Sequence, residues 1–289
     1  MITVVKEDNE YPFSKGIMAR SISKTGLSVE TAYTIVNKIH QKLQDKDIQK
    51  VKSNTLVEMI SEELESRDMT LTSKYFKLHR KIRKLEKPVF ILIGGSTGTG
   101  KSTISMALGH RLGINRIIGT DTIREIMRTI LSPELEPALY NSSFQIGKIK
   151  TTFVHNKLIY SFEQQVRLVS EGVKSVLERG IKEGLTLIVN GVHIVPGFPL
   201  NYKQYKDKCY IFEYILDVPD IEKHMQNFHT REEGSLRPAQ RYTEKITNIR
   251  NIQNYINSQA EDRNVKIIKN ENFQDTIETI LNDISKTIQ

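Results

Sequence analysis

Between Gly95 and Ser102 the chain reads Gly-Ser-Thr-Gly-Thr-Gly-Lys-Ser, filling every fixed position of the pattern G-x-x-x-x-G-K-[ST]. Glycines allow the backbone to curl until successive N–H groups point at one anion. Lys101 can then reach the β- and γ-phosphates of a nucleoside triphosphate, and the Ser102 hydroxyl can hold Mg²⁺ or another divalent cation. Gly95, Ser96, Thr97, Gly98, Thr99, Gly100, Lys101, Ser102 and Thr103 are therefore the expected contacts to the triphosphate. The flanks suit such a loop. An apolar run, Val89–Ile93, leads in as a strand. A helix with Ile104, Ala107, Leu108 and Leu112 on one face leads out, and its N-terminal end adds positive potential.

Three further clusters carry charge where it can act on a phosphoryl group. In Gly119-Thr-Asp121-Thr-Ile-Arg124-Glu-Ile-Met-Arg128, a helix starting near Asp121 puts positions 121, 124 and 128 on one face. Asp121 could orient an acceptor hydroxyl, while Arg124 and Arg128 could hold an anionic acceptor bidentately. In Asn190-Gly-Val-His193-Ile-Val-Pro196-Gly, a turn follows an apolar strand, and His193 could contact the acid groups of the acceptor. The third cluster, His229 to Arg241, carries Arg231, Arg237 and Arg241 around a Gly- and Pro-containing loop. It is the expected lid. Arg231 and Arg237 would neutralise charge on the transferring group, and Arg241 joins the ATP contacts.

The elements that must position these groups are readable in outline. From Val89 onward apolar strands alternate with helices: strand Ile117–Gly119, a helix through Ile130, a long helix over Phe153–Glu183, strands Leu185–Asn190, Cys209–Leu216 and Val265–Ile268, and a C-terminal helix. Such alternation predicts an α/β fold, a three-layer αβα parallel sheet covered on both faces. About ninety residues precede the loop, with strand Ile2–Lys6, a turn at Tyr11-Pro-Phe-Ser, and helices marked by Ala32, Ile35, Val36, Ile39, Leu43 and by Leu56, Val57, Ile60, Leu64. Ser28 and Thr55 are the expected N-caps, Thr55 with Glu58 as a capping box. The expected division is a small mostly helical domain with its linker helix over 1–87 and the phosphate-loop domain over 88–289.

Composition bounds the rest. One cysteine, Cys209, permits no internal disulfide, which fits a reducing cytosol. No apolar run is long enough to span a bilayer, and the N-terminus lacks a signal-peptide pattern. A net charge of +8 suggests anionic partners. The densest basic stretch, Lys74–Lys87, reads as a solvated helix face rather than a nucleic-acid surface. The GTPase motifs D-x-x-G and N-K-x-D do not occur, nor does the Asp-Glu strand end of an ATP-driven motor. A small-molecule kinase fits best, with a nucleotide-sensing regulator as the alternative from another class. The oligomeric state is left open.

IGGSTGTGKST, IIGTDTIREIMR, NGVHIVPG and the R-x5-R-P-x-x-R-Y segment, in that order, resemble the archaeal 2-phosphoglycerate kinases from Pro88 to the C-terminus. VVKEDNEYPFSKGIMARSI and SKYFKLHRKIRK resemble the opening and closing of an ATP-cone domain. The resemblance implies a P-loop kinase that phosphorylates 2-phosphoglycerate with Mg²⁺-ATP to 2,3-bisphosphoglycerate, feeding cyclic 2,3-diphosphoglycerate synthesis, behind an ATP-cone-like regulatory domain. Among enzymes, a P-loop kinase of another small phosphorylated acid or sugar is the alternative reading. One position departs from the family pattern: Asn190 stands where Glu usually precedes Gly-Val-His. Asn190 is therefore given no catalytic role, and the metal would rest on Ser102, ATP oxygens and water.

Overall fold

The structure is a computed structural model that describes residues 2–145, 156–198, 202–233 and 238–288. The chain divides into two compact units, one of Met1–Leu85 with His110–Gly113 and Leu281–Gln289, the other of Glu86–Gly109 and Ile114–Ile280.

In the first unit, β1 (Thr3–Lys6), β2 (Asn9–Pro12), α1 (Lys15–Ser23), α2 (Val29–Asp45), β3 (Lys50–Lys52), α3 (Ser53–Glu65) and α4 (Thr70–Ile82) follow in order. β1 pairs antiparallel with β2 and parallel with β3. The helices close over an apolar core that includes Ile22, Ile35, Ile39, Leu43, Leu64 and Phe76. Ser28 caps α2, accepting the Thr31 N–H at 3.1 Å. Thr55 does not cap α3. The helix begins two residues earlier, because β3 runs straight into it and Lys52 takes the cap position. Tyr11 and Pro12, expected in a turn, instead end β2, and the turn lies at Glu7-Asp8 with Glu7 in the left-handed region at φ 54°.

The second unit continues with β4 (Val89–Gly94), α5 (Lys101–Leu112), β5 (Ile117–Gly119), α6 (Thr120–Ile130), α7 (Lys157–Glu183), β6 (Leu187–Asn190), β7 (Tyr210–Asp217), α8 (Ile221–Glu233), α9 (Gln240–Thr243), α10 (Ile246–Glu261), β8 (Lys266–Lys269) and α11 (Phe273–Thr287). The five strands are parallel, in the order β5-β6-β4-β7-β8. The fold is the expected α/β parallel sheet. All of β4 is buried, so its Val, Phe, Ile and Leu side chains pack on both faces of the sheet. Phe90 and Leu92 meet α6 and α7, while Ile215 meets a second cluster built on α10. After β4 the chain crosses to β5 and β6 on one side, then to β7 and β8 on the other. The loop leaving β4 therefore lies at the switch of strand order, where open parallel sheets bind their ligands. Of the expected long helix, α7 covers Lys157–Glu183, and residues 153–155 lie outside the described residues.

Candidate active site

Four distant side chains brace the phosphate loop from outside. Gln253 of α10 accepts the Ser96 N–H at 2.6 Å and donates to the Leu216 carbonyl at 3.3 Å. His224 of α8 lies 2.7 Å from the Thr97 carbonyl, Asn227 donates to Gly98 at 2.9 Å, and Asn270 donates to Thr99 at 3.0 Å. The Thr97, Gly98 and Thr99 carbonyls are thus each taken by a side chain from outside the loop. Gly98 sits at φ 88°, and a Cβ there would come within 2.5 Å of the Phe228 ring. Only glycine fits both constraints. Sequence reasoning names none of these four braces, for they lie more than 120 residues along the chain from the loop.

Lys101 is buried, and its Nζ donates to the Ser96 carbonyl at 2.5 Å and approaches Thr99 Oγ1 at 3.4 Å. Burial pulls its ammonium down to about 7, with the Asp121 carboxylate opposing the fall and Arg231 adding to it. Ser102 Oγ lies 3.5 Å from Asn190 Oδ1, because β6 ends beside β4 with Ile93 and Asn190 in register. Among the described residues no group of three or more His, Cys, Asp or Glu is placed to hold a metal ion. Two neutral oxygens fit a hard cation that keeps its waters and takes the rest of its shell from phosphate oxygens.

The sign of the Lys101 shift has a measurable consequence. Its ordinary value is 10.5 and its folded value is about 7, so in that window the unfolded chain holds more proton and stability rises with pH. Triphosphate binding runs the other way, because anionic oxygens favour the ammonium. Titration calorimetry of an ATP analogue at pH 8, in buffers of different ionisation enthalpy, should show uptake of about one proton. In K101M the uptake should vanish; uptake that persists would assign the shift to another group.

The acceptor-side cluster forms on α6. Its N-cap is Gly119, without a side-chain cap, so Asp121 is not needed there; it stands in the first turn with its carboxylate 58% exposed. Arg124 Nη2 lies 4.0 Å from Asp121. Glu125, unassigned from sequence, takes both arginines instead: Arg124 at 3.4 Å and Arg128 at 2.8 Å. Arg128 also stacks over the Tyr140 ring at 4.7 Å. The Nε atoms of Arg124 and Arg128 are buried without a hydrogen-bond partner among the described residues, a cost folded proteins seldom leave standing away from functional sites.

His193 turns inward rather than toward an acceptor. It is 1% exposed, with Nδ1 at 2.8 Å from Thr120 Oγ1 and Nε2 at 2.9 Å from Gln165 Oε1. Burial holds it neutral, below the usual imidazole range, against the pull of Asp121. Both nitrogens are engaged within the protein, so the expected contact with acid groups is not made here. Gly191 permits this approach, since a Cβ there would overlap Thr120.

On the lid side, Arg231 is exposed on α8 and stacks at 5.8 Å from the Tyr242 ring, which continues through Phe228 to His224 as one aromatic column behind Gly98. Arg241 Nη2 donates to Ser142 Oγ at 2.7 Å, and its neighbour Tyr242 packs on Phe144 as well as on Phe228. Arg237 lies outside the described residues.

With this geometry in hand, likeness to known proteins is decisive. The 2-phosphoglycerate kinase of Methanopyrus kandleri is 38% identical over 99% of this chain and 88% of its own length. That of Pyrococcus furiosus is 38% identical over 100% of this chain and 95% of its own. The chain belongs to the 2-phosphoglycerate kinase family. The family described as Zeta toxin also matches, over residues 72–184. A shikimate kinase structure from Acinetobacter baumannii aligns over 72% of this chain and 98% of its own, at 15% identity and a TM-score of 0.43. Membership in this kinase family implies the use of ATP. Among the described residues no helix is long and apolar enough to cross a membrane.

Proposed function

We propose that the protein transfers the terminal phosphoryl group of ATP to the C3 hydroxyl of 2-phosphoglycerate, giving 2,3-bisphosphoglycerate for cyclic 2,3-diphosphoglycerate synthesis. The observation that carries this reading is the Gly95–Ser102 loop at the end of β4, with Ser102 Oγ 3.5 Å from Asn190 Oδ1, on the same sheet whose β5 runs directly into the Asp121–Arg124–Arg128 face of α6.

In this reading Lys101 swings from the Ser96 carbonyl to the β/γ-phosphates, and the loop N–H groups take the remaining oxygens. Ser102, with Asn190 beside it, would hold Mg²⁺, which when bound would offset charge on the β- and γ-phosphates. Asp121 orients the acceptor hydroxyl. Arg124 and Arg128 exchange Glu125 for the acceptor's phosphate and carboxylate, since an acceptor of about three negative charges needs several guanidinium groups to sit beside ATP. Arg231, with Arg237 and Arg241, closes over the transferring group, and His193 supports the site from behind. Transfer is in line, driven by positioning and charge neutralisation.

ADP formation measured across a panel of phosphorylated three-carbon acids tests the assignment. Turnover should rise with 2-phosphoglycerate far above the level without acceptor. Stimulation by another acid alone would replace the acceptor in this account.

The N-terminal unit is proposed to be an ATP-cone-like regulatory domain. Its support is a cavity of about 440 Å³ whose lining combines the apolar Val4, Leu56, Val57 and Ile60 with Arg20, Lys24, Arg80 and Arg83. His79, also lining it, is 2% exposed with neither ring nitrogen partnered among the described residues. The full-length protein should then bind about two ATP-analogue molecules per chain by equilibrium dialysis, falling to about one in R80A/R83A, where each charge-assisted contact contributes on the order of 1.5–3 kcal/mol. A stoichiometry of one in both proteins would rule out a nucleotide in this cavity.

A further inference from the structure

Gln165 lies on the buried stripe of α7, between Phe162, Val166 and Val169, at 1% exposure. An amide in such a place is costly unless its donors and acceptor are used. Gln165 uses them all. Nε2 donates to the Ala138 carbonyl at 2.6 Å and to the Asn141 carbonyl at 2.9 Å, and Oε1 faces His193 Nε2 at 2.9 Å.

These contacts, with a neutral His193 ring, set the direction of the protons along the line. Two backbone carbonyls can only accept, so the amide nitrogen must face them and the amide oxygen must face His193. That oxygen can only accept, so His193 carries its proton on Nε2. With the buried ring neutral, Nδ1 keeps a free lone pair, and the Thr120 hydroxyl donates to it across 2.8 Å. The line ends on the acceptor groups at both sides. Thr120 immediately precedes Asp121, and the Asn141 carbonyl that receives Gln165 also receives Arg124 Nη1 at 3.4 Å.

We propose that Gln165 and Thr120 are positioning residues for the acceptor: through His193 they lock the start of α6 and the 137–141 segment together, and so fix where Asp121 stands relative to Arg124. Neither touches substrate. The proposal rests on the acceptor reading given above, and it adds that acceptor affinity depends on a one-way hydrogen-bond line inside the protein.

Steady-state kinetics of Q165M and T120V, two variants of similar volume that break the line at different places, test it. Each should raise the KM for 2-phosphoglycerate about tenfold, the scale of one buried polar group left unpaired, with the KM for ATP within about twofold of the parent. T120S keeps the hydroxyl and should recover most of the loss. Nitrogen-15 spectra of histidine-labelled protein, assigned with H193Q, should show His193 protonated on Nε2 in the parent and a mixture of tautomers in Q165M. Equal changes in both KM values, or an Nδ1-protonated His193 in the parent, would overturn the proposal. Where Q165M does not fold, the T120V and T120S pair carries the same comparison. Should the parent not turn over 2-phosphoglycerate at all, the acceptor reading fails instead, and the tautomer measurement still decides whether the line exists.

Discussion

K101M is expected to reduce kcat by about 10²–10³-fold or more, the range found when a preorganised donor to developing charge is removed. Lys101 is the buried lysine of the Gly95–Ser102 loop, and its amino group is held within hydrogen-bond reach of Ser96 and Thr99 at the mouth of α5. Methionine matches its length and removes its charge, so the braces from Gln253, His224, Asn227 and Asn270 should keep the loop in shape. Removing a desolvated charge should leave thermal stability unchanged or raise it below pH 7, since burial is what depresses the lysine's proton affinity. Lost activity with a retained melting temperature is therefore the expected pair of results. Full turnover in K101M, checked by ADP release, would remove the loop from the chemistry.

D121N should lower kcat about 10²–10⁴-fold, the usual contribution of a positioned acid–base group, with a smaller effect on the KM for ATP. Asparagine keeps the shape and the first-turn position on α6 but cannot accept the hydroxyl proton or pull on Lys101. Because the Asp121 carboxylate opposes the fall in the lysine's proton affinity, D121N should also push the Lys101 titration lower. The calorimetric proton uptake at pH 8 would then persist while catalysis falls, which separates the two roles. A D121N protein with unchanged kcat would leave Asp121 as a residue of the helix start alone.

How much of this was legible in the chain depended on sequence distance. The phosphate loop is contiguous, so its glycines, lysine and serine announce it without help from the fold. Asp121, Arg124 and Arg128 lie on one helix, and their i, i+3 and i+7 spacing placed them on one face. Glu125 escaped because adjacent helix positions point apart, yet its carboxylate reaches both arginines. The loop braces on α8, on α10 and after β8 escaped for a different reason: nothing local marks Gln253 or Asn270 as facing a loop 157 and 171 residues away. His193 was legible as part of a turn after a strand, but its direction was not, because its partners Thr120 and Gln165 come from two other helices. In the N-terminal unit, the β1–β2 turn carries Glu-Asp where a two-residue hairpin more often has Asn-Gly, so the strand after it read as a turn.

The central claim, phosphoryl transfer from the loop at Gly95–Ser102 to the hydroxyl of a phosphorylated three-carbon acid, is tested most directly by phosphorus-31 NMR of the full-length protein with ATP, Mg²⁺ and 2-phosphoglycerate. The account predicts that loss of the ATP γ resonance is matched by two phosphomonoester resonances of equal area, from one product phosphorylated at both C2 and C3. Growth of inorganic phosphate alone, with 2-phosphoglycerate unchanged, would contradict it.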